Sequence, residues 1–167
     1  MDINKPIKIR AAVRSDCEEL HLLLNDIIRV GGSTAMDRPL SVTDFENHFL
    51  SGDDSICCHA AVNEDGELVG FQSLKQHSKL PKDWADIATF AKLLPKTPGV
   101  GTTLFQTTLA YARQFEFEAI NATIRADNVS GLAYYSKMGF IDYTIDRAAA
   151  LSDGAPVDRI SKKLQVK

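Results

Sequence analysis

The chain has 167 residues, of which 44% are hydrophobic and 25% are charged, a composition typical of one soluble globular domain spanning 1–167. Its formal net charge of −3 argues against a nucleic acid or an anionic membrane as partner, because both attract basic proteins. Three unpaired cysteines and the lack of an apolar N-terminal or membrane-length segment predict a cytoplasmic protein.

The first predicted elements are a strand over 7–11 and an amphipathic helix that ends near Arg29. Ser15 or Asp16 is placed to cap this helix, and leucine and isoleucine recur through it at helical spacing. The segment 30–41 is rich in turn-forming residues and predicts a loop.

A short second helix and a hairpin follow. Ser41 or Thr43 is placed to cap the helix, which is predicted to end near Leu50. Two apolar runs within 56–74 flank the turn-forming sequence 64–66, so this segment predicts an antiparallel hairpin.

In the C-terminal half, strands and helices alternate. Strands are predicted over 84–94 and 119–125, with a helix from Thr102 to about Gln114 between them. Such a strand–helix–strand unit is parallel, with a right-handed crossover.

The last predicted elements are a helix and two closing strands. The helix begins at Asn128, runs to Met138 and is stopped by Gly139. The strands cover 140–145 and 158–164. Together the elements predict an α+β fold, a mixed sheet of about six to seven strands with helices on both faces.

The loop before the helix at Thr102 has the features of an anion site. Gly99 and Gly101 lack a Cβ, so a ligand can approach their backbone closely. The helix start offers unpaired N–H groups, and Lys96 adds a positive charge, a combination suited to phosphate or pyrophosphate. The loop alone also fits a turn that only packs the helix onto the sheet.

Two motifs together carry a family resemblance. The sequence KTPGVG, 96–101, followed by NVSGLAYYSKMGF, 128–140, resembles the signature of the GNAT superfamily of acetyl-CoA-dependent N-acetyltransferases. The order of predicted elements is similar to the family's over nearly the whole chain. The loop STAMDRP, 33–39, resembles the phosphinothricin acetyltransferase branch.

The resemblance implies a GNAT-like fold and an acyltransferase that uses acetyl-CoA as cosubstrate, without a metal. Lys96 departs from the family's Gln or Arg, and Pro98 removes one backbone donor from the loop. By resemblance, acetyl-CoA is held by residues at the end of one strand, in the glycine loop and on the last helix. These are Thr89, Phe90, Ala91, Lys96, Thr97, Pro98, Gly99, Val100, Gly101, Thr102, Asn128 and Tyr135.

The resemblance also assigns roles to the last helix. Asn128 and Tyr135 lie two turns apart on one side, so both can touch one ligand. Tyr135 aligns with the family's general acid, which attends the departing thiolate of CoA. Tyr134 aligns with an apolar position and is expected in the core.

The general base is less clearly indicated. Asp37 is the nearest counterpart of an acidic residue in the phosphinothricin branch and is the tentative base. Four further residues are open candidates, and the histidines show no metal-ligand spacing. The candidates are Glu46, His59, His77 and Asp86.

The resemblance predicts direct attack of a small molecule's primary amine on acetyl-CoA in a ternary complex. A protein or peptide acceptor and a catalytically inactive CoA-binding module are the alternatives. The expected partners are acetyl-CoA and an amine acceptor, and a homodimer is left open.

Overall fold

A computed structural model describes residues 5–167. The strands are β1 (Lys8–Ala11), β2 (Ser55–Val62), β3 (Leu68–Lys75), β4 (Trp84–Ala91), β5 (Ala119–Arg125), β6 (Ile141–Ala150) and β7 (Pro156–Gln165). The helices are α1 (Cys17–Val30), α2 (Val42–Glu46), α3 (Val100–Gln114) and α4 (Val129–Lys137). A 3₁₀ turn, Arg14–Asp16, precedes α1, and a π-helical turn, Asn47–Ser51, extends α2.

The seven strands form one mixed sheet in the order β1-β2-β3-β4-β5-β7-β6. β4 and β5 pair in parallel, as predicted, with α3 as their crossover. The other neighbouring strands in the described sheet pair antiparallel.

Helices cover both faces of the sheet, which confirms the predicted fold class. On one face α1 and α2 pack over β2–β4, with Leu24, Phe45 and Phe71 fully buried. On the other face α3 and α4 pack over β4 and β5, around Phe105 and Ile120. The alternation of side chains along a strand decides which layer each β4 residue meets.

The parallel pair separates halfway along its length. β4 and β5 are in register from Trp84↔Ala119 to Asp86↔Asn121 and do not pair beyond that point. β4 nevertheless continues to Ala91, so the middle of the sheet contains an open cleft.

Some boundaries differ from the sequence-based ones. α3 begins at Val100, because Gly99 takes a left-handed conformation (φ 83°) that ends the loop, and Val100 is buried against the sheet. The closing strands β6 and β7 are longer than predicted, because they pair with each other as far as Ala150↔Pro156.

Candidate functional site

A cavity of about 1250 Å³ opens at the cleft between β4 and β5. It exceeds the roughly 300–1,000 Å³ of a typical small-ligand pocket, so it has room for two ligands side by side. Its walls come from both faces of the sheet and include every residue that the sequence assigned to acetyl-CoA, from Thr89 to Tyr135.

Backbone groups of β4 face this cleft. The Lys92 N–H donates to the Val69 carbonyl at 2.9 Å, which makes Ala91 and Gly70 a non-hydrogen-bonded pair. Because such pairs alternate with hydrogen-bonded ones, the N–H groups of Thr89 and Ala91 point away from β3. They face the side where β5 has separated, and are free to bind an extended ligand or a carbonyl oxygen.

The glycine loop reaches the cavity at the N-terminus of α3. Thr103 donates both its backbone N–H (2.9 Å) and its hydroxyl (2.8 Å) to the Gly99 carbonyl. This closes the first turn and leaves the N–H groups of residues 100–102 without intrahelical partners. With Lys96 also on the cavity wall, the helix start suits an anion.

Tyr134 and Tyr135 belong to one hydrogen-bond network that links four elements, β3, β4, α3 and α4. The Tyr135 hydroxyl lies 2.9 Å from Thr89 Oγ1. The Gln72 amide donates to Thr89 Oγ1 at 2.8 Å and to the Tyr134 hydroxyl at 3.2 Å. The Tyr134 hydroxyl donates to the Gly101 carbonyl at 2.7 Å.

Burial controls the ionisation of Tyr135, whose side chain is 7% exposed. It raises the phenol pKa well above its usual range, and the hydrogen bond with Thr89 opposes this only in part. Tyr135 therefore keeps its proton at neutral pH.

A second network lies on the α1/α2 face, where β4 and β5 part. Asn121 Nδ2 donates to Asp86 Oδ1 at 2.7 Å, and the Tyr143 hydroxyl donates to Asn121 Oδ1 at 2.5 Å. The bond from Tyr143 fixes the orientation of the amide, so its nitrogen donates to Asp86 and to Thr123 Oγ1. Burial raises the pKa of Asp86, while the Asn121 hydrogen bond opposes the rise.

The comparison with protein families decides the identity of this fold. The model of the acetyltransferase (GNAT) family matches residues 18–140, more than half of the chain. The chain belongs to the GNAT acetyltransferase family. The predicted family and enzyme class are therefore confirmed.

Solved structures of GNAT proteins share the fold at low sequence identity. A protein assigned as a phosphinothricin N-acetyltransferase is 22% identical (TM-score 0.85; 97% of this chain and 99% of the other covered). YncA of Salmonella typhimurium, solved with acetyl-CoA, is 17% identical (TM-score 0.82; 97% and 95%). Ribosomal-protein-alanine N-acetyltransferase of Brucella melitensis is 18% identical (TM-score 0.81; 95% and 99%).

A search among curated proteins finds no match to this GNAT chain. Among residues 5–167, no helix combines the length and the apolar character needed to cross a membrane.

The two glycines of the loop, Gly99 and Gly101, are needed for different structural reasons. A Cβ on Gly99 would meet no atom within 4 Å, so its side is open to a ligand. A Cβ on Gly101 would lie 2.8 Å from the Tyr134 ring. Gly101 therefore makes room for Tyr134, whereas the sequence had suggested room for a ligand.

The position of Tyr134 differs in part from the expectation that it lies only in the core. Its ring packs against the core beneath α3 and α4, as expected, but the residue also lines the cavity and its hydroxyl holds Gly101. Gln72 was missed by the sequence reasoning. The signal in the sequence was a polar amide within the apolar strand LVGFQSL. In the structure this amide is fully buried, and a buried amide needs hydrogen-bond partners.

The structure separates the candidate bases. Asp37 lies outside the cavity wall, and its carboxylate accepts a hydrogen bond from the Ser152 N–H at 2.7 Å. Hydrogen bonding from Ser152, by its side chain first and then by its N–H, lowers the pKa of Asp37, which makes the carboxylate a weaker base. Glu46 pairs with Arg14, also outside the cavity.

His59 lies under α3 against Tyr111, again outside the cavity wall. Only His77 and Asp86 of the named candidates line the cavity. The Asp37 assignment therefore has no geometric support, because the loop that carries it turns this side chain away from the cleft.

Asn128 caps α4 and also ties down a loop. Its side-chain oxygen accepts from the Gly131 N–H at 3.0 Å, and its amide donates to the Ser33 carbonyl at 3.1 Å. Arg125 donates to the next carbonyl, that of Thr34, at 3.2 Å. Residues 33–34 are thus held across the end of β5.

Proposed function

We propose that this GNAT protein transfers the acetyl group of acetyl-CoA to a primary amine of a small molecule, by direct attack in a ternary complex. The observation that carries the proposal is the cleft between β4 and β5, with Asp86 on one face of the sheet and Tyr135 on the other. A thioester lying in the cleft would have a base on one side and a hydrogen-bond donor on the other.

In this proposal the pyrophosphate of CoA binds at the start of α3, beside Lys96. The pantetheine arm then runs along the cleft in the place of a neighbouring strand, and its amide groups form hydrogen bonds with the free backbone groups of β4. The acetyl oxygen receives an N–H from Thr89 or Ala91, which also stabilises the tetrahedral oxyanion. The acetyl-CoA present in the YncA structure supports acetyl-CoA as the cosubstrate.

The acceptor amine attacks the thioester carbonyl from the α1/α2 face. As the N–C bond forms, the nitrogen gains positive charge, and its proton passes to Asp86 Oδ2. Asn121 occupies the other oxygen, Oδ1. Asp86 Oδ2 has no hydrogen-bond partner among residues 5–167 and is available to the amine.

The C–S bond then breaks, and the departing thiolate receives a hydrogen bond from Tyr135. Gln72 helps to free that proton: it donates to Thr89 Oγ1, so the Thr89 hydroxyl proton can be directed to Tyr135. In that arrangement the phenolic proton of Tyr135 points into the cleft.

A small acceptor is supported by the loop that covers the cavity. Arg125 and Asn128 hold the carbonyls of Thr34 and Ser33, and both of these residues line the cavity. A loop fixed in this way encloses a free amine more readily than a protein chain end. The protein acceptor of the Brucella melitensis relative makes a protein N-terminus the competing substrate.

The proposal is tested by thiol release from acetyl-CoA with a panel of small amines and of peptides with free N-termini. We expect release to depend on added small amines and to yield an equal amount of acetylated amine. Release stimulated only by peptides would favour the protein acceptor. Release that responds to neither class would favour a CoA-binding module.

The proposed pyrophosphate site predicts a specific effect of Gly99→Ala. The new Cβ would enter space that is open in the protein, so it would obstruct the ligand. We expect acetyl-CoA affinity to fall by about 10- to 100-fold, the equivalent of one hydrogen bond to a charged group. Isothermal titration calorimetry measures this change.

Gly66→Ala is the matched control, because Gly66 has the same left-handed backbone (φ 82°) and the same open surroundings in the β2–β3 turn. Both variants should lose about 1–2 kcal/mol of folding free energy from backbone strain. Equal acetyl-CoA affinity in the two folded variants would place the pyrophosphate elsewhere.

A further inference from the structure

Two polar residues of β3 share the acceptor side of the cavity with Asp86. In the β3–β4 register Lys75 lies opposite Asp86, and Ser73 lies opposite Ala88. Directly opposed residues of an antiparallel pair point to the same face. All four residues line the cavity, so its acceptor end contains a hydroxyl, an ammonium and a carboxylate.

The Ser73 hydroxyl has an unmet hydrogen bond. Ser73 is fully buried (0% exposed), and its Oγ has no partner in the part of the chain that the structure describes. Buried hydroxyls are normally paired, because an unpaired one loses its bond to water without replacement. A ligand oxygen in the cavity would supply the missing hydrogen-bond partner of Ser73 Oγ.

The Lys75 ammonium is half-buried and has no carboxylate within ion-pair distance among residues 5–167. Burial lowers its pKa, while the more distant carboxylates of Asp54 and Asp86 act against this shift. His48 lies on the same wall, and burial together with the charge of Lys75 lowers its pKa, so it adds no positive charge at neutral pH. Lys75 is thus a cation suited to an anionic ligand.

We propose that the acceptor is an amino acid or a similar amine with an anionic group one or two carbons from its nitrogen. Lys75 and Ser73 bind the anionic group, while Asp86 receives the proton of the amine. The Cβ atoms of opposed residues lie about 4.5–5.5 Å apart, so Lys75 and Asp86 start close enough to bind two neighbouring groups of one small ligand. This inference rests on the proposed function and specifies its substrate class.

The first test compares matched acceptors: each common amino acid, its amide and its decarboxylated amine. Amidation lowers the ammonium pKa, so kcat/KM values are compared per free amine. We expect the carboxylates to exceed both uncharged analogues by about 10- to 100-fold, the range for a hydrogen bond to a charged group. Equal or better transfer to the amides would overturn the anion subsite.

The second test uses Lys75→Met and Ser73→Ala with the same acceptors. Both variants should raise KM for the preferred carboxylate and leave the amide and the acetyl-CoA KM nearly unchanged. Lys79→Met is the control, because it removes one positive charge from a neighbouring exposed segment that does not line the cavity. An equal loss with carboxylate and amide would mean that Lys75 acts only through Asp86, contrary to the proposal.

These outcomes are distinct from a failure of the proposed function. If no small amine of any class stimulates thiol release, the proposed function fails as a whole. If small amines are acetylated without preference for an anionic group, the transferase remains and only the subsite is wrong.

Discussion

Asp86→Asn is expected to lower kcat/KM for the acceptor by about 10²- to 10⁴-fold, the range for one general base. The amide keeps the size of the side chain but has no basic oxygen to accept the amine proton. The substitution should leave the fold and the proposed pyrophosphate site intact, so acetyl-CoA affinity should remain close to that of the unaltered protein. Steady-state kinetics and calorimetry together measure the two effects.

The pH profile distinguishes a base from a structural carboxylate. Burial raises the pKa of Asp86 above the ordinary value of about 3.9 for an aspartate. The base acts only when deprotonated, so kcat/KM should rise with pH through this raised pKa. This rise is the acidic limb of the pH profile. Asp86→Asn should lack the acidic limb and should keep only the rise in kcat/KM that follows deprotonation of the acceptor's ammonium.

Asp83→Asn is the matched control for charge, because Asp83 is exposed just before β4 and does not line the cavity. It should retain full activity and the acidic limb. If Asp86→Asn also retains both, the base lies elsewhere, and His77 is the remaining candidate on the cavity wall.

Tyr143→Phe should produce a weaker form of the same effect. Without the Tyr143 hydroxyl, Asn121 loses the bond that orients its amide toward Asp86. The carboxylate then loses a stabilising donor, so its pKa should rise further and the acidic limb should move to higher pH. A lower plateau without movement of the limb would indicate a merely structural role for Tyr143.

The structural features that depend only on neighbouring residues could be predicted from the sequence. Ser41 caps α2, Asn128 caps α4 and the glycine loop precedes α3, because caps and turns depend on short-range chemistry. The same local rule placed the start of α3 two residues late, since it did not include the burial of Val100.

The base could not be chosen from the sequence because it depends on the face of β4. Alternation along the strand places Asp86 with Ala88 and Phe90, but alternation alone does not say which layer covers that side. The packing of Phe90 against Phe71 and the helices α1 and α2 decides it. Asp37 lies in a loop, where spacing carries no information about direction.

Tyr135→Phe is expected to lower kcat and kcat/KM together by about 10²-fold, because it removes one hydrogen bond made mainly in the transition state. The ring remains in the core, so the fold should survive with a loss of about 1 kcal/mol for the bond to Thr89. Acetyl-CoA affinity should hardly change. Rapid-mixing kinetics and calorimetry separate these quantities.

The control for this variant must be a tyrosine outside the hydrogen-bond network of Tyr135. Tyr134→Phe is unsuitable, since the Tyr134 hydroxyl holds the Gly101 carbonyl and accepts from Gln72. Tyr111→Phe is better: its hydroxyl makes one long bond, 3.4 Å, to Ile56 outside the cavity wall, so activity should be unchanged. If Tyr135→Phe is as active as Tyr111→Phe, Tyr135 is structural and water must protonate the thiolate. If KM for acetyl-CoA rises while kcat is kept, Tyr135 binds the cosubstrate equally in ground and transition states and gives the departing sulfur no additional stabilisation.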